Sequence, residues 1–395
     1  MKTSVTDKAV IVSVIEKVDS GNSSEFEKEL LKTAEENKGK RLILDCSELT
    51  YISSAGLRVL LKIKKLLSEP ELENVSKDVY KILSVTGFTQ ILTVKRKLSG
   101  ISIENAELLG AGANGRVYRL DPERIVKVYN SVSNPPEKIR REQESARQAF
   151  VHGIPSAIPF DIVRVGDEPG MIYELINART LGSIVHSEPQ KLEKYALEMS
   201  ALLRKLHSTE MENGTMPDAR LTLRLWADIA SKSGYYNDAD MQKVYELIDS
   251  IPARNTFIHG DFHPGNIMVS DGELILIDMG DASVGHPVID LLGAYQLMSL
   301  TPKKNAGAAM RYLGMTAEES VRMWDIFIRD YFGTEDNEKI KQIEESMKSF
   351  SLIRTLGGIV FSDVIPDDKR SFFSAMVMKD ILNNTEKTDL IINAL

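Results

Sequence analysis

The sequence predicts two folded parts: an α/β domain in about the first hundred residues, then a larger domain of mixed strands and helices. Strand and helix patterns alternate up to residue 98. Residues 95–103 follow these patterns, and they begin with basic residues and continue with small ones. Beyond it, strand patterns run to about Leu175, and the sequence is mostly helical afterwards. A chain of 395 residues is long enough for two or three domains, and we expect them at residues 1–98 and 103–395.

The first part alternates β-branched runs with amphipathic stretches. Residues 9–15 and 41–45 are typical of strands. Residues 25–36, 55–67 and 75–83 carry apolar side chains at helical spacing. This order predicts a sheet with helices packed against it.

Composition limits the classes of function. The chain is 43% hydrophobic and 27% charged, the balance of an ordinary globular protein. Its net charge of -8 argues against nucleic-acid binding through a basic face, and the acidic excess after residue 100 would suit a cationic ligand. A single cysteine, Cys46, excludes an internal disulfide and agrees with a cytoplasmic protein. No apolar run reaches the roughly 18 residues of a membrane helix, and we expect no membrane association.

A glycine-rich segment opens the second part. Residues 110–117, GAGANGRV, have the spacing GxGxxGxV, whose glycines let backbone N–H groups approach phosphate oxygens. A simple turn explains this motif equally well when it is taken alone. Lys127 follows within a β-branched run, 125–129, where a lysine is unusual. It is either an exposed residue of an edge strand or a lysine that reaches the α- and β-phosphates of ATP.

The next helix carries a carboxylate in its apolar stripe. Asn134 is predicted to cap this helix, with Pro135 as its first residue. Glu142 lies three residues after Ile139 and four before Ala146. An inward-facing carboxylate needs a partner, for which Lys127 is the natural candidate. Glu144 is the competing carboxylate, but it points to another face.

A dense polar segment spans residues 257–290. Asp261 and Asn266 are five residues apart, and Asp278 follows an apolar strand pattern. Phosphoryl transfer needs a carboxylate at the acceptor hydroxyl and oxygen ligands for magnesium. We therefore predict Asp261 as the catalytic base and Asn266 and Asp278 as metal ligands. The alternative, a polar loop between strands, does not account for the ordered series that begins at the glycine loop.

The motif His259-Gly260-Asp261-x-His263-x-x-Asn266, followed by Ile277-Asp278, resembles the phosphotransferase family of aminoglycoside and choline kinases. The resemblance covers about residues 103–395. It implies an α+β, two-lobed, protein-kinase-like fold, with an N-lobe at about 103–176 and a C-lobe at about 177–395. It also implies ATP and Mg²⁺ as cofactors, and Asp290 as the residue that holds the catalytic loop. The residues that it implies for nucleotide binding are Gly110, Gly112, Asn114, Gly115, Val117, Lys127, Glu142, Glu174 and Ile176, the last two in a hinge that holds adenine.

The acceptor is expected to be small. Only twelve positions separate Asp278 from Asp290, whereas protein kinases have a longer segment there that ends in Ala-Pro-Glu and docks a peptide. The acidic domain would suit an amine or aminoglycoside-like acceptor, although acidic faces are usually only solvated. Trp226 and Trp324 are expected in the core.

Residues 44–61 read as a strand, a polar turn and a helix. Ser54 would be a good N-cap for that helix, but a helix N-terminus also stabilises a phosphate group. Over about residues 5–98 the sequence resembles the STAS domain of anti-sigma-factor antagonists. The resemblance implies a sheet with helices on one side, a phosphorylatable serine at Ser54, and an anti-sigma factor or other regulatory protein as partner. That family usually has aspartate where Ser53 stands.

Two functional hypotheses follow. The first is an ATP- and Mg²⁺-dependent phosphotransferase that acts on the hydroxyl group of a small molecule and is regulated by the STAS domain. The second is a signalling protein, whose kinase-like domain controls the STAS domain or phosphorylates Ser54 or a partner protein.

Overall fold

The computed structural model describes residues 1–66, 70–112, 115–130, 134–361, 365–385 and 388–395. The chain divides into two compact units, Met1–Ser102 and Ile103–Leu395. Within the described residues, no helix combines the length and the apolar character needed to cross a membrane.

The first unit contains a mixed sheet and several helices. The strands are β1 (Lys2–Val5), β2 (Ala9–Ser13), β3 (Lys17–Val18), β4 (Arg41–Asp45), β5 (Tyr51–Ile52), β6 (Glu71–Val75), β7 (Thr93–Arg96) and β8 (Ser99–Ile101). The helices are α1 (Ser23–Glu36), α2 (Ser54–Leu66), α3 (Lys77–Val85) and α4 (Phe88–Ile91). The main sheet has the order β1-β2-β4-β6-β7, in which only β1 and β2 pair antiparallel.

One face of this sheet forms the core of the first unit. Val10, Val12, Leu42 and Leu44 occupy alternate positions on β2 and β4, so their side chains share a face. They belong to one buried cluster with side chains of α1, α2 and α3. The predicted sheet with helices on one side is therefore present.

The helix starts in the first unit differ by one or two residues from the sequence predictions, and α1 begins at Ser23 instead of residue 25. Ser53, not Ser54, caps α2, because the Ser53 Oγ accepts a hydrogen bond from Gly56 N at 3.4 Å. Ser54 is the first helical residue and is exposed. The third predicted helix begins two residues late, since Val75 ends β6 and Ser76 caps α3.

The second unit begins with an antiparallel sheet. Its strands are β9 (Leu108–Gly112), β10 (Gly115–Arg119), β11 (Arg124–Tyr129), β12 (Pro159–Val165), β13 (Glu168–Glu174), β14 (Arg179–Thr180), β15 (Thr256–Ile258), β16 (Ile267–Ser270), β17 (Glu273–Leu276) and β18 (Ser283–Gly285). β9 to β13 form the first sheet, in the order β12-β13-β11-β10-β9. β14, β16 and β17 form a smaller sheet, and β15 pairs with β18.

Helices make up most of the remaining chain. They are α5 (Pro136–Val151), α6 (Leu181–Ser187), α7 (Leu192–His207), α8 (Arg220–Ser231), α9 (Asp238–Asp249), α10 (Val288–Tyr295), α11 (Thr301–Lys304), α12 (Ala306–Leu313), α13 (Ala317–Phe332), α14 (Asn337–Val360), α15 (Asp367–Leu382) and α16 (Thr388–Asn393). A π-helical turn, Gln296–Leu300, links α10 to α11. From α6 onwards, every helix except α11 contributes apolar side chains to one large core, and α14 does so along its length.

The start of α5 corrects the capping prediction. Asn134 is buried, and its Nδ2 donates to Asn130 O at 3.1 Å instead of capping the helix. Pro135 takes the N-cap position with φ -62° and ψ 155°. Because a residue that precedes proline is disfavoured in the helical region, the first helical residue is Pro136.

Candidate active site

The loop between β15 and β16 is held by a buried carboxylate. Asp290 on α10 accepts hydrogen bonds from His259 N at 2.9 Å and from Gly260 N at 2.7 Å, and it contacts His207 Nε2 at 3.2 Å. Gly260 has a φ of 82°, and a Cβ there would lie 2.4 Å from Asp281 O. A side chain at this position would therefore collide with backbone. The predicted anchoring role of Asp290 agrees with this geometry.

Asp261 follows directly on this anchored backbone. Asn266 Nδ2 donates to Asp261 O and to Asp261 Oδ2, both at 3.0 Å. His263 Nε2 lies 3.4 Å from Asp261 Oδ2, and His263 Nδ1 accepts a hydrogen bond from Gly265 N. Arg354 Nη1, from α14, lies 3.7 Å from Asp261 Oδ1. Several donors thus surround one carboxylate.

These neighbours keep Asp261 ionised. Burial opposes the charge, but His263, Arg354 and His259 outweigh it and hold the pKa of Asp261 well below its usual range. Asp281 lies close by in the 3₁₀ turn Met279–Asp281. Burial, together with the charges of Asp261 and Asp278, raises the pKa of Asp281 despite the opposing charge of Arg354.

Lys127 joins three elements. Its Nζ lies 2.8 Å from Glu142 Oε1 on α5 and 2.9 Å from Asp278 Oδ1 after β17. Tyr173 OH donates to the same Glu142 oxygen at 2.9 Å. Burial alone would lower the pKa of Lys127, but the two carboxylates reverse this and raise it. The predicted pair of Lys127 and Glu142 is present, whereas Glu144 lies exposed beside Gln148 and Arg147.

The proposed metal ligands have a suitable donor set. Asp278 has a left-handed φ of 62°, which is uncommon for a residue with a side chain. Asn266 uses its Nδ2 to bind Asp261, which leaves its Oδ1 available, and Ile277 N donates to Asn266 O at 3.0 Å. An amide oxygen and a carboxylate fit Mg²⁺. Among the described residues, no group of three or more His, Cys, Asp or Glu side chains is arranged to hold a metal. Phosphate oxygens and water would complete such a site.

The glycine-rich segment forms the hairpin of β9 and β10. Gly110 and Gly112 are exposed, and added Cβ atoms would meet no heavy atom within 4 Å. Gly115 is different, because its φ is 151° and a Cβ would lie 2.1 Å from Val128 O. Val117 pairs directly with Lys127 across β10 and β11. Asn114 lies outside the described residues.

The predicted hinge lies at the end of β13. Met171 pairs with Lys127, so Glu174 lies three residues further, or about 10 Å along the strand. Glu174 Oε1 accepts a hydrogen bond from Ile158 N at 2.8 Å. Within the described residues, Ile176 N–H donates no hydrogen bond, although Ile176 O accepts one from Ala178 N. A backbone donor is thus available at this end of the sheet.

A cavity of about 300 Å³ lies beside Asp261. Its lining includes Trp226, Asp261, His263, Gln296, Tyr312 and Arg354. The expectation that Trp226 lies in the core is therefore wrong, because its ring is half-buried and forms part of the cavity wall. Trp324 is buried as expected, with its Nε1 donating to Glu344 Oε1 at 2.6 Å.

Sequence reasoning missed Arg354 as well as Trp226. The sequence did contain a signal for Arg354. Residues 350–356, FSLIRTL, include four apolar residues around this arginine. A lone arginine within an apolar stretch of helix needs a polar partner or a cavity.

Comparisons with known proteins agree with this arrangement. Residues 105–324 match the phosphotransferase enzyme family, and the chain belongs to that family. Residues 1–100 match the STAS domain, so the first unit is a STAS domain. BtrV of Bordetella bronchiseptica, named as an anti-sigma factor antagonist, is 39% identical over 82 residues, which are 20% of this chain and 69% of BtrV.

Solved structures of kinases are also similar. An aminoglycoside-3'-phosphotransferase of type VIII is 18% identical, with a TM-score of 0.45, covering 64% of this chain and 93% of its own. A choline/ethanolamine kinase family protein from Mesorhizobium loti is 16% identical, with a TM-score of 0.44, covering 73% of this chain and 91% of its own.

Proposed function

We propose that the second domain transfers the γ-phosphoryl group of ATP to the hydroxyl group of a small molecule, with Mg²⁺. The observation that carries this proposal is the position of Asp261, a carboxylate held by Asn266 at the edge of a cavity of about 300 Å³. Membership of the phosphotransferase enzyme family supports the same reaction class.

Asp261 would act at the acceptor. Its carboxylate accepts a hydrogen bond from the acceptor hydroxyl and takes that proton as the oxygen bonds to the γ-phosphorus. The bond from this phosphorus to the bridging oxygen breaks, and ADP leaves. The transition state of such transfers is loose, so orientation of the hydroxyl matters more than the strength of the base. The depressed pKa of Asp261 keeps the carboxylate ionised for this purpose.

The nucleotide would lie along the first sheet of this domain. We assign Lys127 to the α- and β-phosphates, with Glu142 as its positioning partner. Backbone N–H groups of Gly110, Gly112 and Gly115 would face the phosphates, with Val117 on the face of Lys127. Glu174 and Ile176 would hold the adenine through their backbone. Asn266 and Asp278 would hold Mg²⁺, which when bound neutralises charge between the phosphates.

The Asp261→Asn variant tests this reaction. Transfer from γ-labelled ATP should fall about 10²–10⁴-fold, while nucleotide binding stays nearly unchanged, because the variant loses only the proton acceptor. Panels of amino alcohols, aminoglycosides, sugars and hydroxy acids provide the acceptors. Asp271→Asn, at an exposed turn, is the matched control. Retained turnover in Asp261→Asn would rule out the assignment of the base.

The Lys127→Ala variant tests the nucleotide side. Nucleotide binding and turnover should weaken together by about tenfold or more, because the phosphates lose a buried cation. Circular dichroism must accompany the assay, since Glu142 would lose its partner inside the protein. A folded variant with unchanged ATP affinity would contradict the proposed nucleotide position.

A second candidate function concerns the STAS domain. Ser54 is exposed at the first position of α2, where a helix N-terminus stabilises an added phosphate. We infer that Ser54 could accept a phosphoryl group, from this kinase domain or another, and so change binding to a regulatory protein such as an anti-sigma factor. We also propose a cytoplasmic location, with which the single, buried Cys46 is compatible. Label from ATP that appears on the protein and is absent from Ser54→Ala would favour this function.

A further inference from the structure

The cavity beside Asp261 has a local charge that differs from that of the whole domain. Among the described residues that line it, Asp261 is the one carboxylate. Its charge is already engaged by Asn266, His263 and Arg354. Asp281 lies nearby but does not line the cavity, and the charge of Arg354 acts on its carboxylate as well. A cationic acceptor in the cavity would lie close to this guanidinium group.

Arg354 keeps unused hydrogen-bonding capacity. Its Nη1 reaches Gly260 O at 3.4 Å and Asp261 Oδ1 at 3.7 Å, both long contacts. Within the part of the chain that the structure describes, the guanidinium makes no other hydrogen bond, and the side chain is 24% exposed. A guanidinium presents five N–H donors in a planar fork that matches a carboxylate or phosphate group.

We propose that the acceptor carries an anionic group, a carboxylate or a phosphate, which Arg354 binds while the acceptor hydroxyl lies at Asp261. This inference rests on the proposed function, because it names the acceptor class of that same site. The short distance from Arg354 to Asp261 places the anionic group near the reacting hydroxyl, as in a hydroxy acid. Trp226 and Tyr312 supply apolar walls for the carbon skeleton.

The competing explanation is that Arg354 only stabilises the charge of Asp261. The two roles give different kinetics. If Arg354 binds the acceptor, its loss raises KM for anionic acceptors more than for neutral ones, in addition to any fall in kcat that is common to all acceptors because Asp261 loses a neighbour. If it serves Asp261 alone, its loss lowers kcat for every acceptor in the same proportion.

Four compounds with one three-carbon skeleton test the proposal on the full chain. Glycerate and glycerol 3-phosphate are anionic, glycerol is neutral, and serinol is cationic. Binding is followed by tryptophan fluorescence, since Trp226 lines the cavity and Trp226→Phe should remove the signal. Transfer is followed separately as phosphorylation of each compound by γ-labelled ATP.

Saturable quenching by glycerate or glycerol 3-phosphate, at least about tenfold tighter than by glycerol or serinol, is expected. The comparison of the two anions distinguishes a carboxylate site from a phosphate site. Arg354→Gln should remove the preference, Arg354→Lys should keep part of it, and Arg322→Gln, at an exposed site on α13, should retain it. Equal or tighter binding of serinol or glycerol, or no quenching by either anion, would overturn the inference.

The two readouts separate this inference from the proposed function. Transfer to serinol or glycerol without any anion preference would support the phosphotransferase and reject the anionic acceptor. Selective binding of the anions, with no transfer to any compound in this set or in the wider panels, would support the anion site and reject the phosphotransferase.

Discussion

The loop that carries Asp261 and the turn that carries Ser54 both bear polar side chains near a strand end, but they are built differently. In the loop, two consecutive backbone N–H groups donate to Asp290, and the Asn266 amide fixes Asp261. In the turn, Ser53 makes one long capping bond, and Ser54 is exposed beside it. A group that catalyses must be held in position, whereas a group that is modified must be reachable. The loop and the turn therefore differ in the way that the roles proposed for Asp261 and Ser54 require.

The largest expected effect comes from removing the anchor of the loop. In Asp290→Ala, the N–H groups of His259 and Gly260 and the ring of His207 lose a buried acceptor. The free energy of unfolding should fall by about 3 kcal/mol or more, as measured by urea denaturation. Asp325→Ala removes an exposed partner of Arg329 and should cost at most about 1 kcal/mol. Equal losses in the two variants would mean that the loop does not depend on Asp290.

The sequence predicts site residues that lie close together along the chain better than those that only the fold brings together. Asp261, Asn266 and Asp278 lie within one short segment, and the ion pair of Lys127 with Glu142 follows from two adjacent elements, so local spacing indicates them. Arg354 and Trp226 reach the cavity from helices far along the chain, and only tertiary packing brings them there. The two incorrect predictions of helix caps also have local causes. A second proline moved the start of α5 past Asn134, and Ser53 took the cap expected of Ser54.

A smaller effect should appear in the pH dependence of the reaction. Because the folded protein holds the pKa of Asp261 below its usual range, the carboxylate stays ionised in mild acid, and its protonation should not limit activity there. In His263→Ala, one cause of that depression is gone, so the pKa should rise and activity should begin to fall at a higher pH than in the unchanged protein. Profiles of kcat/KM against pH measure this shift.

His186→Ala is the control for this prediction, since His186 is exposed and pairs with Glu319 away from the loop. Its profile should coincide with that of the unchanged protein. If kcat/KM falls at the same pH in all three proteins, protonation of Asp261 does not cause that fall. The charges around Asp261 would then not distinguish its loop from the turn that carries Ser54.

The smallest expected effects come from substitutions of Ser53 and Ser54. The labelling rate of the Cys46 thiol can measure them. Cys46 is the single cysteine, and it is buried in the core of the STAS domain. Burial, helped by the charge of Asp45, raises the pKa of its thiol from 9.0 to about 12, so labelling requires the domain to open. The labelling rate of the full chain therefore reports the stability of this domain alone.

Ser53→Ala removes the cap of α2 and should speed labelling about two- to fivefold, which corresponds to a loss of roughly 0.5–1 kcal/mol. Ser54→Ala should have little effect, since its hydroxyl lies exposed beyond the cap. Ser54→Asp places a negative charge in the first turn and should slow labelling slightly, because the helix dipole favours an anion there. The reverse order, with Ser54→Ala opening the domain and Ser53→Ala silent, would make Ser54 the cap. Phosphorylation of Ser54 would then break a capping hydrogen bond, and Ser54 would be a structural residue instead of an exposed acceptor for a phosphoryl group.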